Sequence, residues 1–381
     1  MATNGSSPAP NQQVLSGTSQ VPPALAGYPF LGTMAAWCDS QGKIWLARDK
    51  SRPPYQAEML NPNWTTFEPP ALAISLEWET IYLAWTDPQG SVHVASSADG
   101  WNTDQVVASS PVGPALLPMP GQMFLGFNNG ANRLQFVSFD RTFSSIPGFG
   151  TGLPISSRPT LTAASGRFYA LAGGAANGQG DQTMRIYATA GDWMKAEPVP
   201  TQATRTFGPP SMAVVNGNFH LVWADGETLR LCHAATTNLN QFAVTRYSDG
   251  CHFGGPALVG MPDGLTIGWS YGAPPENPNT HHITLAHVPL QGGDAELQQI
   301  ENALVSGNRR RVATQQCGPF DIYDPAANRC VPKGGCWGGC VLESMDILGE
   351  LPIFNFVTYG LCVAKCKSDE DDEGSDKRRS A

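Results

Sequence analysis

Pro23-Ala24-Leu25 is the first copy of a three-residue figure that recurs five more times along the chain. The other copies are Pro70-Ala71-Leu72, Pro114-Ala115-Leu116, Pro159-Thr160-Leu161, Pro210-Ser211-Met212 and Pro256-Ala257-Leu258. Successive prolines are separated by 47, 44, 45, 51 and 46 residues. A nearly constant period of this length is typical of repeat proteins, in which each copy forms one supersecondary unit. The sequence therefore predicts six repeats.

In each repeat the proline figure is followed by a run of apolar residues and then by a segment in which apolar residues alternate with others. The apolar run ends 13 to 15 residues after the proline in five repeats, at Trp37, Trp85, Phe127, Trp223 and Trp269, and fades at Ala172 in the fourth. An alternating segment such as 91–95, Ser-Val-His-Val-Ala, begins 6 to 13 residues later. Weaker outer segments cover 56–60, 105–108, 195–199 and 242–247. We interpret the four segments as strands A, B, C and D of one antiparallel sheet.

The composition supports an all-β fold. Among 381 residues there are 41 Gly and 32 Pro, and only 14% are charged, which is typical of short strands joined by tight turns. A lone four-stranded sheet cannot bury both faces, whereas radially stacked copies can, so we predict a six-bladed β-propeller over 21–290. The last repeat lacks an outer strand after Val288. We expect the otherwise flexible segment 1–20 to close the ring near Val14 and Leu15, which removes an unpaired edge.

The charge balance excludes several partners. A net charge of −9 argues against nucleic acid and anionic membranes, because both require clustered Lys and Arg. No apolar run approaches the roughly 20 residues of a membrane span. The histidines show no metal-ligand spacing, so we expect no metal and no cofactor. The first residues, 1–13, show no secretory signal.

The sequence changes character after 290. Asp294 can cap a short helix within a linker, 291–312, and the charged tail 367–381 is expected to be disordered. A module at 313–366 contains six cysteines, Cys317, Cys330, Cys336, Cys340, Cys362 and Cys366. Their spacing lacks paired zinc knuckles and no histidine lies among them, so we favour disulfides, in any of fifteen pairings, over zinc. Disulfides imply an extracellular or other oxidising compartment. We interpret Cys38, Cys232 and Cys251 as buried free thiols.

The propeller topology predicts where a ligand would bind. Loops that join strand D to the next strand A, and strand B to strand C, share one face, here called the upper face. The predicted ligand-binding residues on it are Arg158, Arg205, His252 and Tyr271, with Asp87 and Asp225 as acceptors. Polar groups converging on a concave axis are the default site. Asp in these turn sequences also holds its own turn, whereas a turn does not require Arg.

Two segments between strands C and D carry a family resemblance. Ser97-Ala98-Asp99-Gly100-Trp101 and Gly191-Asp192-Trp193 resemble shortened Asp-boxes of the sialidase-like propellers, whose pattern is Ser-x-Asp-x-Gly-x-x-Trp. In that family the box is a structural turn, which implies structural roles for Asp99, Trp101, Asp192 and Trp193. The stretch 157–161 is similar to the family's Phe-Arg-Ile-Pro motif. Arg158 and Arg205 would then grip a substrate, but a third arginine and a Tyr–Glu nucleophile pair are not evident.

The chain also resembles propeller lectins of bacteria and fungi, which have five to seven degenerate repeats of this length rich in Trp and Gly. The aromatic candidates for a sugar face are Trp64, Trp78, Trp101, Trp193 and Tyr271. We predict non-catalytic binding of glycans or glycoproteins, with no catalytic residue assigned. A sialidase-like exo-glycoside hydrolase is the first alternative and requires an arginine cluster near the axis. A protein-interaction scaffold is the second, and it predicts broad apolar patches. The sequence leaves the oligomeric state open.

Overall fold

The computed structural model describes most of the chain up to residue 290. The described residues are 12–290, without 20, 29–31, 49–55, 76, 120, 144, 165, 175–180, 191–192, 252–254, 262–263 and 272–281, together with 321–324 and 329–332. The predicted helix after Asp294 and the charged tail lie outside this set. So do the side chains of the six clustered cysteines, and the whole of Asp192 and His252.

The described chain is almost entirely β-structure, with strands in the predicted order. β1 is Gln12–Thr18. Blade I contains β2 (Ala24–Tyr28), β3 (Gly32–Cys38), β4 (Ile44–Arg48) and β5 (Gln56–Met59). Blade II contains β6 (Ala71–Ser75), β7 (Thr80–Thr86), β8 (Ser91–Ser96) and β9 (Asp104–Ser109). Blade III contains β10 (Ala115–Met119), β11 (Gln122–Asn128), β12 (Arg133–Phe139) and β13 (Ser145–Pro154).

The second half repeats the pattern. Blade IV contains β14 (Thr160–Ala164), β15 (Arg167–Gly173), β16 (Asp181–Thr189), β17 (Glu197–Val199) and β18 (Arg205–Phe207). Blade V contains β19 (Ser211–Val215), β20 (Asn218–Ala224), β21 (Arg230–Thr236) and β22 (Thr245–Gly250). Blade VI contains β23 (Ala257–Met261), β24 (Gly264–Tyr271) and β25 (His282–Pro289). Two 3₁₀ turns lie at Ser97–Asp99 and Trp193–Lys195, and a separate hairpin joins β26 (Asp321–Asp324) to β27 (Arg329–Pro332).

The six sheets form a β-propeller, as the repeat predicts. Within each blade, consecutive strands pair antiparallel, except that β18 pairs with β16 and not with β17. The strands that begin at the repeated proline are innermost, and each contacts the innermost strands of the neighbouring blades around the axis. These strands are rich in Ala, a small side chain that lets six strands approach one another at the centre. The same proline cannot donate to a ladder, which suits its position at the start of a strand.

The blades are held together by apolar layers between adjacent sheets. The tryptophans that end strand B, Trp37, Trp85, Trp223 and Trp269, are each at most 2% exposed and pack in these layers. Strand β7 is buried at every position, because both of its faces lie against neighbouring blades. Cys38, Cys232 and Cys251 are buried and belong to no disulfide, which agrees with the interpretation made from the sequence. Burial raises the pKa of Cys38 and of Cys232 to about 12.

The ring is closed by pairing of the two ends of the propeller. β1 pairs antiparallel with β25, with Gln13 opposite Leu285 and Val14 opposite Thr284. β1 therefore occupies the outer position of blade VI, where the sequence showed no strand D of its own. Leu15 of β1 is buried with Trp37 of blade I and Leu285 of blade VI. This side chain thus links the first and last blades.

Within the described part of the chain, no helix is both long enough and apolar enough to span a bilayer. The same residues contain no group of three or more His, Cys, Asp or Glu side chains placed to bind a metal ion.

Truncating Leu15 should destabilise the propeller. We expect Leu15→Ala to lower the free energy of unfolding by about 2–5 kcal/mol, because it removes buried methyl groups from the junction of blades I and VI. Val106→Ala is the matched control, since Val106 lies on an outer strand and is 56% exposed; its effect should stay within about 0.5 kcal/mol. Urea denaturation measures both. Equal effects of the two substitutions would show that β1 does not close the ring.

Candidate functional site

Six residues surround the upper mouth of the axis, one directly before each repeated proline. They are Pro22, Pro69, Gly113, Arg158, Pro209 and Gly255. A Cβ atom at Gly113 would overlap the carbonyl oxygen of Pro69, and one at Gly255 would overlap that of Pro209. Neighbouring loops therefore pack backbone against backbone at these two positions. Arg158 is the only charged member of the set, so it breaks the pattern of the repeat.

The Arg158 side chain crosses two neighbouring loops. Its Nη1 donates a hydrogen bond of 3.1 Å to the carbonyl oxygen of Pro70, at the start of blade II. A Cβ atom at Gly113, in the intervening loop, would lie 3.3 Å from Arg158 Cδ. Burial lowers the pKa of Arg158 to about 10, and the negative charge of Glu68 opposes that shift. The guanidinium is therefore charged at neutral pH, even though it is partly withdrawn from solvent.

Glu68 is the acidic residue whose negative charge acts on Arg158. Burial raises the pKa of Glu68, while a hydrogen bond from the Gly113 backbone and the charge of Arg158 lower it, and the net shift is upward. The loop is fixed by Thr66, whose hydroxyl is fully buried and bonds both the Glu68 backbone and the Thr86 carbonyl oxygen. A titratable pair held in a partly buried position with shifted pKa values is a candidate functional site.

Phe67 directly precedes Glu68 in the chain and is exposed. Its side chain is 56% exposed, and its ring lies against Gly42 in the turn between β3 and β4, where a Cβ atom would come within 3.2 Å. Gly42 has φ of +76°, a conformation that disfavours other residues as well. Phe67 was not among the site residues predicted from the sequence. The available signal was a large aromatic residue in a polar loop, directly before the acidic residue of the site.

An axial cavity of about 140 Å³ opens beside Arg158 and is lined by the innermost strands. Arg158 is the one charged residue among the described residues that line it, and most of the others are Ala, Leu and Pro. Thr160 and Thr162 follow at alternate positions of β14. Thr160 Oγ1 donates to Pro210 O at 3.1 Å, and the Thr162 hydroxyl is buried with no hydrogen-bond partner among the described groups. The cavity is therefore apolar with one polar stripe.

Arg205 belongs to a second cluster, where blade IV meets blade V. It begins β18, which pairs with the start of β16, and its Nη1 lies 3.5 Å from Glu227 Oε1. Arg246 Nε lies 3.8 Å from Asp225 Oδ2 in the same region. The two predicted arginines thus belong to different clusters, since Arg205 lies near Glu227 whereas Arg158 bonds to the Pro70 carbonyl oxygen. The side chain of Tyr271, at the end of β24, lies outside the described set, as does His252.

The aspartates of the upper face hold their own turns. Asp87 Oδ1 accepts hydrogen bonds from the amides of Gln89 and Ser91, at 2.9 and 2.7 Å. Asp225 Oδ1 accepts from the amides of Glu227 and Thr228. Burial alone would raise the pKa of each carboxyl, but these hydrogen bonds outweigh it and the pKa is lowered in both. A further role of Asp87 and Asp225 as ligand acceptors stays a prediction.

A polar network around His93 was not predicted. Its imidazole stacks on Trp85, and its two ring nitrogens contact Asp87 Oδ2 at 3.1 Å and Asp104 Oδ2 at 2.5 Å. Asp104 Oδ1 accepts a hydrogen bond of 2.9 Å from Trp64 Nε1. The network joins the loop before blade II to the turn that Asp87 holds. It therefore supports the rigid platform on which Phe67 and Glu68 lie.

Most of the tryptophans expected to face a sugar are instead packed in the fold. Trp64, Trp101 and Trp193 are buried, and Trp78 packs edge-on against Tyr82. Asp99 accepts hydrogen bonds from the amides of Trp101, Asn102 and Thr103 and thus holds its own turn. Trp193 stacks on Phe136 with ring centroids 4.5 Å apart. Trp64, Trp101 and Trp193 were thus wrong as ligand-facing candidates, because blade packing requires their apolar surface.

Comparisons with known proteins place the fold but no close relative. No family model and no curated protein matches the sequence. The structure is similar to the α-L-arabinofuranosidase Arb93A from Fusarium graminearum, with 12% identity, a TM-score of 0.53, and coverage of 73% of this chain and 98% of that one.

Two further solved structures have a similar fold. A Hadza microbial sialidase has 13% identity and a TM-score of 0.53, with coverage of 73% of this chain and 66% of that one. The lectin SapL1, in complex with α-methyl fucoside, has 12% identity and a TM-score of 0.52, with coverage of 72% and 98%. These similarities confirm the predicted resemblance to sialidase-like and lectin-type propellers. At such low identity they establish the fold and not the activity.

Neutralising Glu68 should stabilise the protein at neutral pH. Because the native pKa is raised, ionised Glu68 costs free energy in the native state relative to the unfolded chain. Glu68→Gln removes that cost above the native pKa, and the gain should disappear below the ordinary pKa of 4.5, where both states hold the proton. Thermal unfolding from pH 4 to pH 8 measures the difference.

Glu58→Gln provides the control, since Glu58 is exposed and pairs with Arg48 on the outer strands of blade I. It should be neutral or slightly destabilising across the same range. If the Glu68→Gln protein is less stable than the wild type at pH 7, ionised Glu68 does not destabilise the native state and the prediction is wrong.

Proposed function

We propose that the protein binds glycans at the upper mouth of the propeller axis, through Arg158, Glu68 and Phe67. The observation that carries this proposal is Arg158, which lines the axial cavity and is held by its hydrogen bond to the Pro70 carbonyl oxygen. Glu68, whose charge acts on Arg158, and the exposed ring of Phe67 belong to the loop directly before Pro70. Arg205, Asp87, Asp225, His252 and Tyr271 are the proposed outer residues of the same face.

The chemistry of the three central residues suits a sugar. A guanidinium supplies several N–H donors, and an ionised carboxylate supplies acceptors only, so the two together can bind hydroxyl groups in both senses. An exposed aromatic ring can pack against the C–H face of a pyranose or furanose. The pair is preorganised because Thr66, Gly113 and Pro70 hold it in place. A preorganised site loses less conformational entropy when the ligand binds.

The comparisons support carbohydrate as the ligand class. The similar structures include a lectin with a bound fucoside, an arabinofuranosidase and a sialidase, and all three names refer to sugar binding or glycoside cleavage. Binding glycoproteins or free glycans outside the cytoplasm, with a disulfide-linked module at 313–366, is part of the same proposal.

A glycoside hydrolase is the second candidate function. The observation that favours it is Glu68, whose raised pKa suits a general acid. Against it stands the arginine count at the axis, since Arg158 alone among the described arginines lines the axial cavity. A site that binds a substrate carboxylate in the manner of sialidases would need more than one arginine there. Binding without cleavage is therefore our first proposal.

The test is a glycan array with the full chain and two arginine variants. Arg158→Ala should lower binding at least tenfold, because it removes the central donor. Arg167→Ala should leave binding unchanged, since Arg167 is an exposed arginine of the same blade at the opposite end of its sheet. Phe67→Ala should also weaken binding without unfolding the protein, because the ring is mostly exposed. Thermal midpoints of all variants separate loss of binding from loss of structure.

The same samples should be incubated with fluorogenic arabinofuranosides, fucosides and sialosides. Release of the fluorophore that Glu68→Gln abolishes would replace the lectin proposal with the hydrolase. Silence on both the array and the hydrolysis assay would overturn the carbohydrate proposal and favour a protein-interaction scaffold.

A further inference from the structure

We propose that blade V contains an acid-sensitive switch, in which protonation of the buried pair His220 and His233 loosens the packing of blade V against blade VI. This inference goes beyond the proposed function and does not depend on it, because the two histidines lie between blades and not at the mouth of the axis.

The two imidazoles lie against each other on neighbouring strands of blade V. His220 belongs to β20 and His233 to β21, and both are buried. His220 Nδ1 lies 3.2 Å from His233 Nε2, and the rings are nearly parallel, with centroids 5.5 Å apart. One of these two nitrogens must carry a hydrogen atom and the other must accept it. The contact therefore requires at least one neutral imidazole.

The pair lies in an apolar layer between two blades. Side chains alternate between the two faces of a strand, so His220 lies on the same face of its sheet as Val222. His233 lies on the same face as Leu231 for the same reason. Val222 and Leu231 pack in one core cluster with Leu265 of blade VI. Both imidazoles thus face blade VI, in surroundings where a charge is poorly solvated.

Few titratable groups share this layer. Tyr247 and Cys251 of blade V pack in the same core cluster, and Asp249 follows Tyr247 at an alternate position of β22. On blade VI, His282 begins β25 next to the upper face, whereas His220 lies near the opposite end of its own strand. The innermost strands β19 and β23 contain no titratable residue. The loop 262–263 and the side chain of residue 271 lie outside the described part of the chain.

These surroundings keep the pair neutral at physiological pH. Burial lowers the pKa of His220 and of His233 from 6.5 to about 4, and the charge of His233 adds to the shift of His220. As the pH falls below 6.5, the unfolded chain takes up two protons well before the native pair does. The contribution of the pair to stability is therefore fully present above pH 6.5 and is lost as the pH falls towards 4.

The second proton has a further effect on the native state. It removes the only acceptor in the hydrogen bond between the two rings and places two like charges in one apolar layer. Repulsion between the rings separates β20 and β21 on the side that faces blade VI. Acid should therefore act first at the junction of blades V and VI.

Urea denaturation of the full chain at pH 7 and at pH 5 tests the switch. Each histidine that is protonated only in the unfolded state changes the unfolding equilibrium constant by up to about tenfold per pH unit. Acidification should raise this constant at least about thirtyfold more in the wild type than in the double variant His220→Gln, His233→Gln. His282→Gln is the matched control, since His282 is exposed, and it should keep the wild-type response.

Two measurements on the wild type make the test independent of how well the double variant folds. In an NMR titration of isotope-labelled histidines, at least two of the seven imidazoles should stay neutral at pH 5.5, where exposed histidines are mostly charged. Hydrogen exchange at pH 5, corrected for the intrinsic rate, should accelerate at least about fivefold more in β20 and β21 than in blade II.

An equal response of the double variant and the wild type to acid would overturn the inference. Titration of all seven histidines near pH 6.5 would also overturn it, as would acceleration of hydrogen exchange spread evenly over the blades. None of these readouts involves a glycan, so failure here leaves the proposed function intact.

Discussion

Every blade of this protein depends on burial of both faces of a small sheet. A four-stranded sheet with apolar residues on both sides is unstable alone, and only neighbours on each side satisfy it. The strand B tryptophans lie in the layers between sheets and are almost inaccessible to solvent. The ring must therefore close, and β1 closes it by pairing with β25. Without that pairing, the apolar layers at the junction of blades I and VI would face water.

The same constraint explains why the site lies on loops at the axis. Most side chains of the strands are buried between blades, so few of them can contact a ligand. Packing between blades does not require the side chains of the loops before the repeated prolines. The positions of these loops are set by the rigid strands that follow them. Arg158 takes the place of a proline or glycine in one of these loops. The cost of partly burying it, and Glu68 opposite it, is consistent with a functional role rather than a stabilising one.

Much of the fold could be predicted because the spacing of the sequence repeat determines it. Six prolines at nearly equal spacing determine six blades, and alternation within each repeat determines the strands. The turns that aspartates hold could also be predicted from the sequence, since Asp87 and Asp225 accept hydrogen bonds from amides only a few residues further along the chain. Trp64, Trp101 and Trp193 were misjudged for the opposite reason. Whether a loop tryptophan is buried depends on a neighbouring blade that local sequence does not describe.

The sequence by itself determined the repeat, the blade number and the face on which the charged loops lie. Only the tertiary structure decided which charges meet. Arg158 and Glu68 are 90 residues apart in the chain, and Arg158 reaches the carbonyl oxygen of Pro70 across two loops. Local periodicity has no information about such a contact, because it arises from the radius and curvature of the closed ring. The exposure of the Phe67 ring was decided in the same way.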